Sequence, residues 1–255
     1  MTLLEAQQLH VSVAGLPVCR GLDLRIDPGD RWCILGRNGA GKTTLLHTLA
    51  GLRAPDSGRL TLQGSALAAL PRKAIARHIG VLFQDHHDAF PATVLETALT
   101  GRHPWLGPLQ WETATDLALA RAALASVGLA ALEQRNVGTL SGGERRRLGI
   151  AALLTQDPRL LLLDEPVNHL DIHQQIRMLD LLVQQPASGG KALCIVMHDI
   201  NLAARYCNRF LLLFGDGAFL QGSRDAVMTE TSLQRLYRHP LRRIEHADGT
   251  LWIPA

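Results

Sequence analysis

Two stretches of this chain carry residues whose types and spacing could do chemistry on a nucleotide. The first is Gly36-Arg37-Asn38-Gly39-Ala40-Gly41-Lys42-Thr43, set between an apolar run, Trp32 to Leu35, and a helical pattern with leucines at 45, 46 and 49. Its three glycines let backbone N–H groups turn inward around phosphate oxygens, and the helix behind them adds its positive end. In that setting Lys42 reaches the terminal phosphates and the Thr43 hydroxyl holds Mg2+. The second stretch is Asp164-Glu165, which follows four consecutive leucines, 160 to 163. An aspartate there binds Mg2+, directly or through water, and Glu165 can accept the proton of a water attacking the γ-phosphate.

Two more apolar runs end in polar residues. "IGVLF" is followed by Gln84, whose amide can coordinate Mg2+ or water, and "ALCIVM" by His198. A histidine there either hydrogen-bonds the γ-phosphate and positions the attacking water, or is a helix-capping or core histidine. A further glycine pair stands at Ser141-Gly142-Gly143-Glu144, followed by three arginines. By itself it is a helix N-cap, though its N–H groups also suit an anion.

The elements that must position these residues follow from the hydrophobic pattern. Runs such as 160–163 and 192–197, apolar at every position, suit strands of a parallel sheet covered on both faces. Ligands of such sheets lie beyond the carboxyl ends of the strands, which gathers Thr43, Gln84, Asp164 and His198 at one edge. Residues 3 to 64 are sheet-rich, residues ~158 to 220 complete the core, and an alanine- and leucine-rich insert between Gln84 and Asp157 is mostly helical. Residues 221 to 255 suit a strand remnant and a short helix. The fold class is α/β.

With these motifs in order, the chain resembles the ATP-binding subunit of an ATP-binding cassette (ABC) transporter over nearly all of its length. The resemblance implies a P-loop NTPase core, an N-terminal antiparallel β subdomain and a helical signature subdomain within one domain, 1–255. Residues 1–85 and 158–255 form the β subdomain and core, and 86–157 the helical subdomain. It implies nucleotide contacts from Gly36, Arg37, Asn38, Gly39, Ala40, Gly41, Lys42, Thr43 and Thr44, from Gln84, and from His198 as the switch histidine. The signature Ser141, Gly142, Gly143 and Glu144, with Asp171 of the contact loop Asn168-His169-Leu170-Asp171, serves the nucleotide of a second copy. Lys42, Gln84, Glu165 and His198 are the implied catalytic residues, and Thr43, Gln84 and Asp164 the implied Mg2+ ligands. In this family two copies stack head to tail around ATP and Mg2+, which implies a homodimer that the γ-phosphate holds closed until hydrolysis.

The segments "LFQDHHDAFPATVLETALTGRHPWLG" and "MHDINLAARYCNRFLLL" look like the subgroup that imports cobalamin, ferric siderophores or haem. This implies integral-membrane permease subunits, indirectly a substrate-binding protein, and a peripheral location on the cytoplasmic face of the inner membrane. A non-transport ABC ATPase acting on DNA or ribosomes is the alternative. The 56 residues between Gln84 and Ser141 leave no room for the long coiled coils of DNA-maintenance relatives.

Composition agrees with a globular core: 47% of the 255 residues are hydrophobic. A net charge of +3, without a basic stripe, gives no argument for nucleic acid. No apolar run approaches the ~18 residues of a membrane span. The four cysteines lack paired spacing and are expected to be reduced and structural. His86-His87 is expected to face the permease rather than to bind metal. Three positions depart from the family pattern: Val13 where an aromatic ring commonly stacks on adenine, Val167 for threonine, and Ala152 for arginine.

Overall fold

The computed structural model describes residues 1–84, 91–187, 189–246 and 249–255; His86-His87 lies outside them. The chain opens with β1 (Leu4–Val13) and β2 (Leu16–Ile26). Their turn, Ala14-Gly15, has φ of 49° and 78°, the doubly positive geometry that matches the twist of a hairpin. Then come β3 (Arg31–Gly36), α1 (Lys42–Leu49), β4 (Ser57–Leu62), β5 (Ser65–Ala66), α2 (Arg72–His78) and β6 (Ile79–Leu82). Three helices follow, α3 (Val94–Leu99), α4 (Ala114–Ser126) and α5 (Gly142–Gln156). The chain returns through β7 (Leu160–Asp164), α6 (Ile172–Ala187), β8 (Ala192–Val196), α7 (Ile200–Tyr206), β9 (Arg209–Leu213) and β10 (Phe219–Ser223). It ends with α8 (Arg224–Val227), α9 (Glu230–Tyr237), β11 (Leu241–His246) and β12 (Gly249–Pro254).

One sheet is antiparallel, in the order β2-β1-β4-β5. The other, β10-β9-β3-β8-β7-β6, is parallel except for β10. All residues of β7 and β8 are buried, because both faces of this sheet are covered. Their side chains alternate between two cores. Leu161, Leu163, Leu193 and Ile195 join the layer of α3 to α6 and α9. Leu160, Leu162, Cys194 and Val196 join α1 and the antiparallel sheet. The register aligns Ile34 with Val196 and Val196 with Asp164, so β3, β8 and β7 end at the same edge.

The helices α3, α4 and α5 each begin with a reciprocal capping box: Thr93 with Glu96, Thr113 with Asp116, and Ser141 with Glu144. They pack through Val94, Ala98, Ala120, Leu124, Leu148 and Ile150. The contact is close at Gly101, where a Cβ would stand 2.2 Å from the Ala152 carbonyl oxygen. All four cysteines are free and buried.

The C-terminal region differs from the expectation of a strand remnant and one short helix. Besides β10 and α9, it forms the β11–β12 hairpin. Asn201 at the start of α7 fastens it, accepting from the Trp252 N–H at 2.8 Å and donating to the Trp252 carbonyl at 3.1 Å. Trp252 is buried, whereas Ile244, Leu251 and Ile253 stay exposed, so the alternation that marks a half-buried strand is blurred.

Candidate nucleotide-binding site

The loop between β3 and α1 is shaped by glycines for two different reasons. Gly41, at φ 87° on the N-cap of α1, would place a Cβ 2.3 Å from Val18 Cγ2, so both backbone and packing exclude a side chain. Gly39, at φ 79°, has nothing within 4 Å of that position, which leaves the loop open on its concave side. Lys42 is buried and folds back, its Nζ donating to the carbonyls of Gly36 at 2.9 Å and Arg37 at 3.2 Å. Burial lowers the Lys42 pKa, and the Glu165 and Asp164 charges oppose that shift.

Asp164 closes β7 with its side chain fully buried, and neither carboxylate oxygen has a hydrogen-bond partner among the described residues. Burial raises its pKa, and the Thr43 hydroxyl, the largest of the opposing influences, pulls the other way. Two orphaned oxygens beside a hydroxyl are the donor set of a hard divalent cation, so the residues present fit Mg2+. The Gln84 side chain, just beyond β6, is exposed.

Glu165 is held differently. It adopts φ 49°, a left-handed conformation unusual outside glycine and typical of sites where geometry is dictated by function. Its carboxylate is gripped on both oxygens: His198 Nε2 meets Oε1 and Asn168 Nδ2 donates to Oε2. His198 directly follows Met197 at the end of β8, and its side chain is 41% exposed. The next residue, Asp199, rather than His198, caps α7.

The structure therefore brings Lys42, Thr43, Asp164, Glu165 and His198 to one edge. It leaves Ser141 to Glu144 elsewhere: among the described residues, no hydrogen bond or ion pair links them to residues 36–44. Ser141 caps α5, and the Glu144 carboxylate accepts from the Ser141 N–H at 2.7 Å, with its pKa lowered by that bond. Asp171 accepts from the Gln174 N–H at 2.8 Å at the start of α6. The grip of Asn168 on Glu165 was missed in the sequence. Its one signal is an amide three residues after the acid, which becomes a contact only because Glu165 is left-handed. Val13 is half-buried at the end of β1, against the core that includes α1.

The profile described as ABC transporter matches residues 19–168. The petrobactin import ATP-binding protein FpuD of Bacillus anthracis is 34% identical over 235 residues, 92% of this chain and 86% of that protein. The ferric enterobactin transport ATP-binding protein FepC of Escherichia coli is 36% identical over 236 residues, 92% and 86% of the two chains. Among solved structures, a metal-chelate type ABC transporter in an inward-facing conformation superposes with a TM-score of 0.86 at 26% identity, covering 100% of this chain and 98% of that one.

Proposed function

The chain belongs to the ABC transporter family, and from that premise we propose that it is the ATP-hydrolysing subunit of an importer for a ferric siderophore or similar metal chelate. The observation that carries the hydrolytic part is Glu165: a carboxylate fixed on both oxygens, one residue past an unsatisfied buried aspartate, at the edge where the glycine loop lies. Relatives whose names specify petrobactin import and ferric enterobactin transport favour a siderophore as cargo.

In this mechanism the loop Gly36–Thr43 and the first turn of α1, with Thr44, hold the phosphates through backbone N–H groups, and Lys42 turns its ammonium from the loop carbonyls to the terminal phosphates. Asp164 and Thr43, with Gln84 beyond β6, would hold Mg2+, which when bound neutralises charge on the phosphates. Glu165 orients the attacking water and accepts its proton, and His198 fixes that carboxylate and contacts the γ-phosphate. Ser141, Gly142, Gly143 and Glu144 present the N-terminus of α5, with Asp171 nearby, to the nucleotide of a second copy. We take residues 86–157 as the helical subdomain and 1–85 with 158–255 as the β subdomain and core.

No helix among the described residues is long and apolar enough to cross a membrane, and the channel in this mechanism is a separate permease. A cavity of about 300 Å³ lies between β6 and the helices α3 and α5, lined by Val81, Phe83, Thr97, Gly101, Leu148 and Ala152. Phe83, which precedes Gln84 in the chain, lines it, and we assign it to the cytoplasmic loops of that permease, with a binding protein delivering cargo on the far side of the membrane. The test is purification with the neighbouring permease in lipid. An importer subunit co-purifies with it and hydrolyses ATP faster when the chelate-loaded binding protein is added. Stimulation by DNA or ribosomes instead, with no permease bound, contradicts the proposal.

A further inference from the structure

Three successive arginines follow the signature turn, and they point in different directions. Arg145 donates to the Leu140 carbonyl at 3.3 Å and the Gly138 carbonyl at 3.0 Å, and Arg147 to Val127 at 3.0 Å. These bonds stay within the helical layer. Arg146 crosses to the parallel sheet. It is 7% exposed, and its guanidinium reaches five backbone carbonyls on two separate stretches of chain. Nη1 donates to Phe83 at 2.5 Å and Gln84 at 3.1 Å. Nη2 donates to Asp164 and, at 2.7 Å, to Glu165, and Nε donates to Pro166 at 3.0 Å. Among the described residues, each of the three guanidinium nitrogens donates to at least one of these carbonyls.

We propose that Arg146 is a positioning residue for ATP hydrolysis: it links the signature helix to the backbone that carries Gln84 and the two acids, so that a shift of the signature turn reaches the hydrolytic carboxylates. Ser141 caps the helix five residues upstream of Arg146, so any rotation of α5 is transmitted through a rigid planar group to the strand end at Asp164. The same group holds the carbonyl of Glu165, the residue whose left-handed backbone sets its carboxylate between His198 and Asn168. Only a planar fork supplies five donors to two chain segments at once. Lysine has three donors at one point, and glutamine two.

This inference rests on the proposed sandwich of two copies, and the experiment separates the two. Four variants of the full chain are compared: Arg146→Gln, Arg146→Lys, Glu165→Gln and the double variant Glu165→Gln/Arg146→Gln. For Arg146→Gln we expect a cooperative melt, ATP affinity and KM within about threefold of the parent, and kcat lower by at least about tenfold. Arg146→Lys recovers part of that kcat because it keeps the charge. With ATP, Glu165→Gln elutes as a trapped dimer, and the double variant traps at least about tenfold less dimer at equal nucleotide. If Arg146→Gln keeps its kcat, or the double variant traps as much dimer as Glu165→Gln, the assignment is wrong. If Glu165→Gln itself forms no dimer, the sandwich fails and the kcat-to-KM split alone decides on Arg146. Should Arg146→Gln fail to fold, Arg146→Lys carries the same comparisons.

Discussion

Asp164 and Glu165 are neighbours with opposite surroundings: one has no hydrogen bond on either oxygen, the other is bonded on both. A buried carboxylate left unsatisfied costs the fold free energy, so its removal should stabilise the protein without nucleotide while destroying its chemistry. Asp164→Asn should raise stability by about 1 kcal/mol, or roughly 2–4 °C in Tm for a chain of this size. It should also lose turnover and the added stabilisation that Mg2+ gives over nucleotide alone. Melts with and without Mg2+ check this, and a lower Tm for the nucleotide-free variant contradicts it. Val13 supports a second prediction. Base stacking on an aromatic ring is worth roughly 1–3 kcal/mol, and valine offers no π-face. GTP should therefore support hydrolysis within about tenfold of ATP, a gap of ~1.4 kcal/mol, and Val13→Tyr should selectively tighten ATP. Affinities for both nucleotides in both proteins test it, and a strong ATP preference unchanged by the substitution means that another group holds the adenine. Asp164, Glu165 and His198 were legible because each follows a run of apolar strand residues, and Lys42 because it closes a glycine loop of fixed spacing. The partner of Glu165, Asn168, was not, since the contact depends on a backbone dihedral that no residue type announces.

At the scale of elements, the parallel strands and the opening of α5 were written plainly in the chain, the former as continuous apolar runs and the latter as Ser141 three residues before Glu144. The β11–β12 hairpin was not, because its alternation is broken by exposed Ile244, Leu251 and Ile253. The capping boxes have a consequence for pH. Asp116 accepts from the Thr113 N–H at 2.9 Å and its hydroxyl at 2.7 Å, and pairs with Arg102 at 2.7 Å, which together hold its pKa down at about 2. A carboxylate whose pKa is depressed on folding contributes stability that is fully present above its unfolded value near 3.8, and that is lost as pH falls through about 2. The helical layer should thus weaken between pH 4 and 2, since Arg102 also donates to the Thr155 carbonyl of α5 at 3.1 Å. Asp116→Asn should cost about 1 kcal/mol at neutral pH and should flatten that part of the acid profile. Acid melts of the two proteins measure it. An unchanged profile assigns the acid sensitivity to other carboxylates.

For the whole molecule, the decisive feature is a division of labour. The glycine loop, the acids and His198 share one edge of the parallel sheet, while Ser141-Gly142-Gly143 heads a helix on the other layer, with no hydrogen bond to residues 36–44 among the described residues. In the proposed sandwich each chain holds two half-sites, and head-to-tail pairing of two copies completes both, with the nucleotide as the adhesive whose binding and hydrolysis close and open a pair of attached permeases. Mixing subunits that carry Lys42→Ala with subunits that carry Ser141→Arg tests this most directly, because each lesion damages a different half and the mixed dimer retains one intact composite site. The account predicts that the mixture traps nucleotide and regains hydrolysis at that one interface, well above either parent alone. A mixed dimer that traps no more nucleotide than its parents contradicts it.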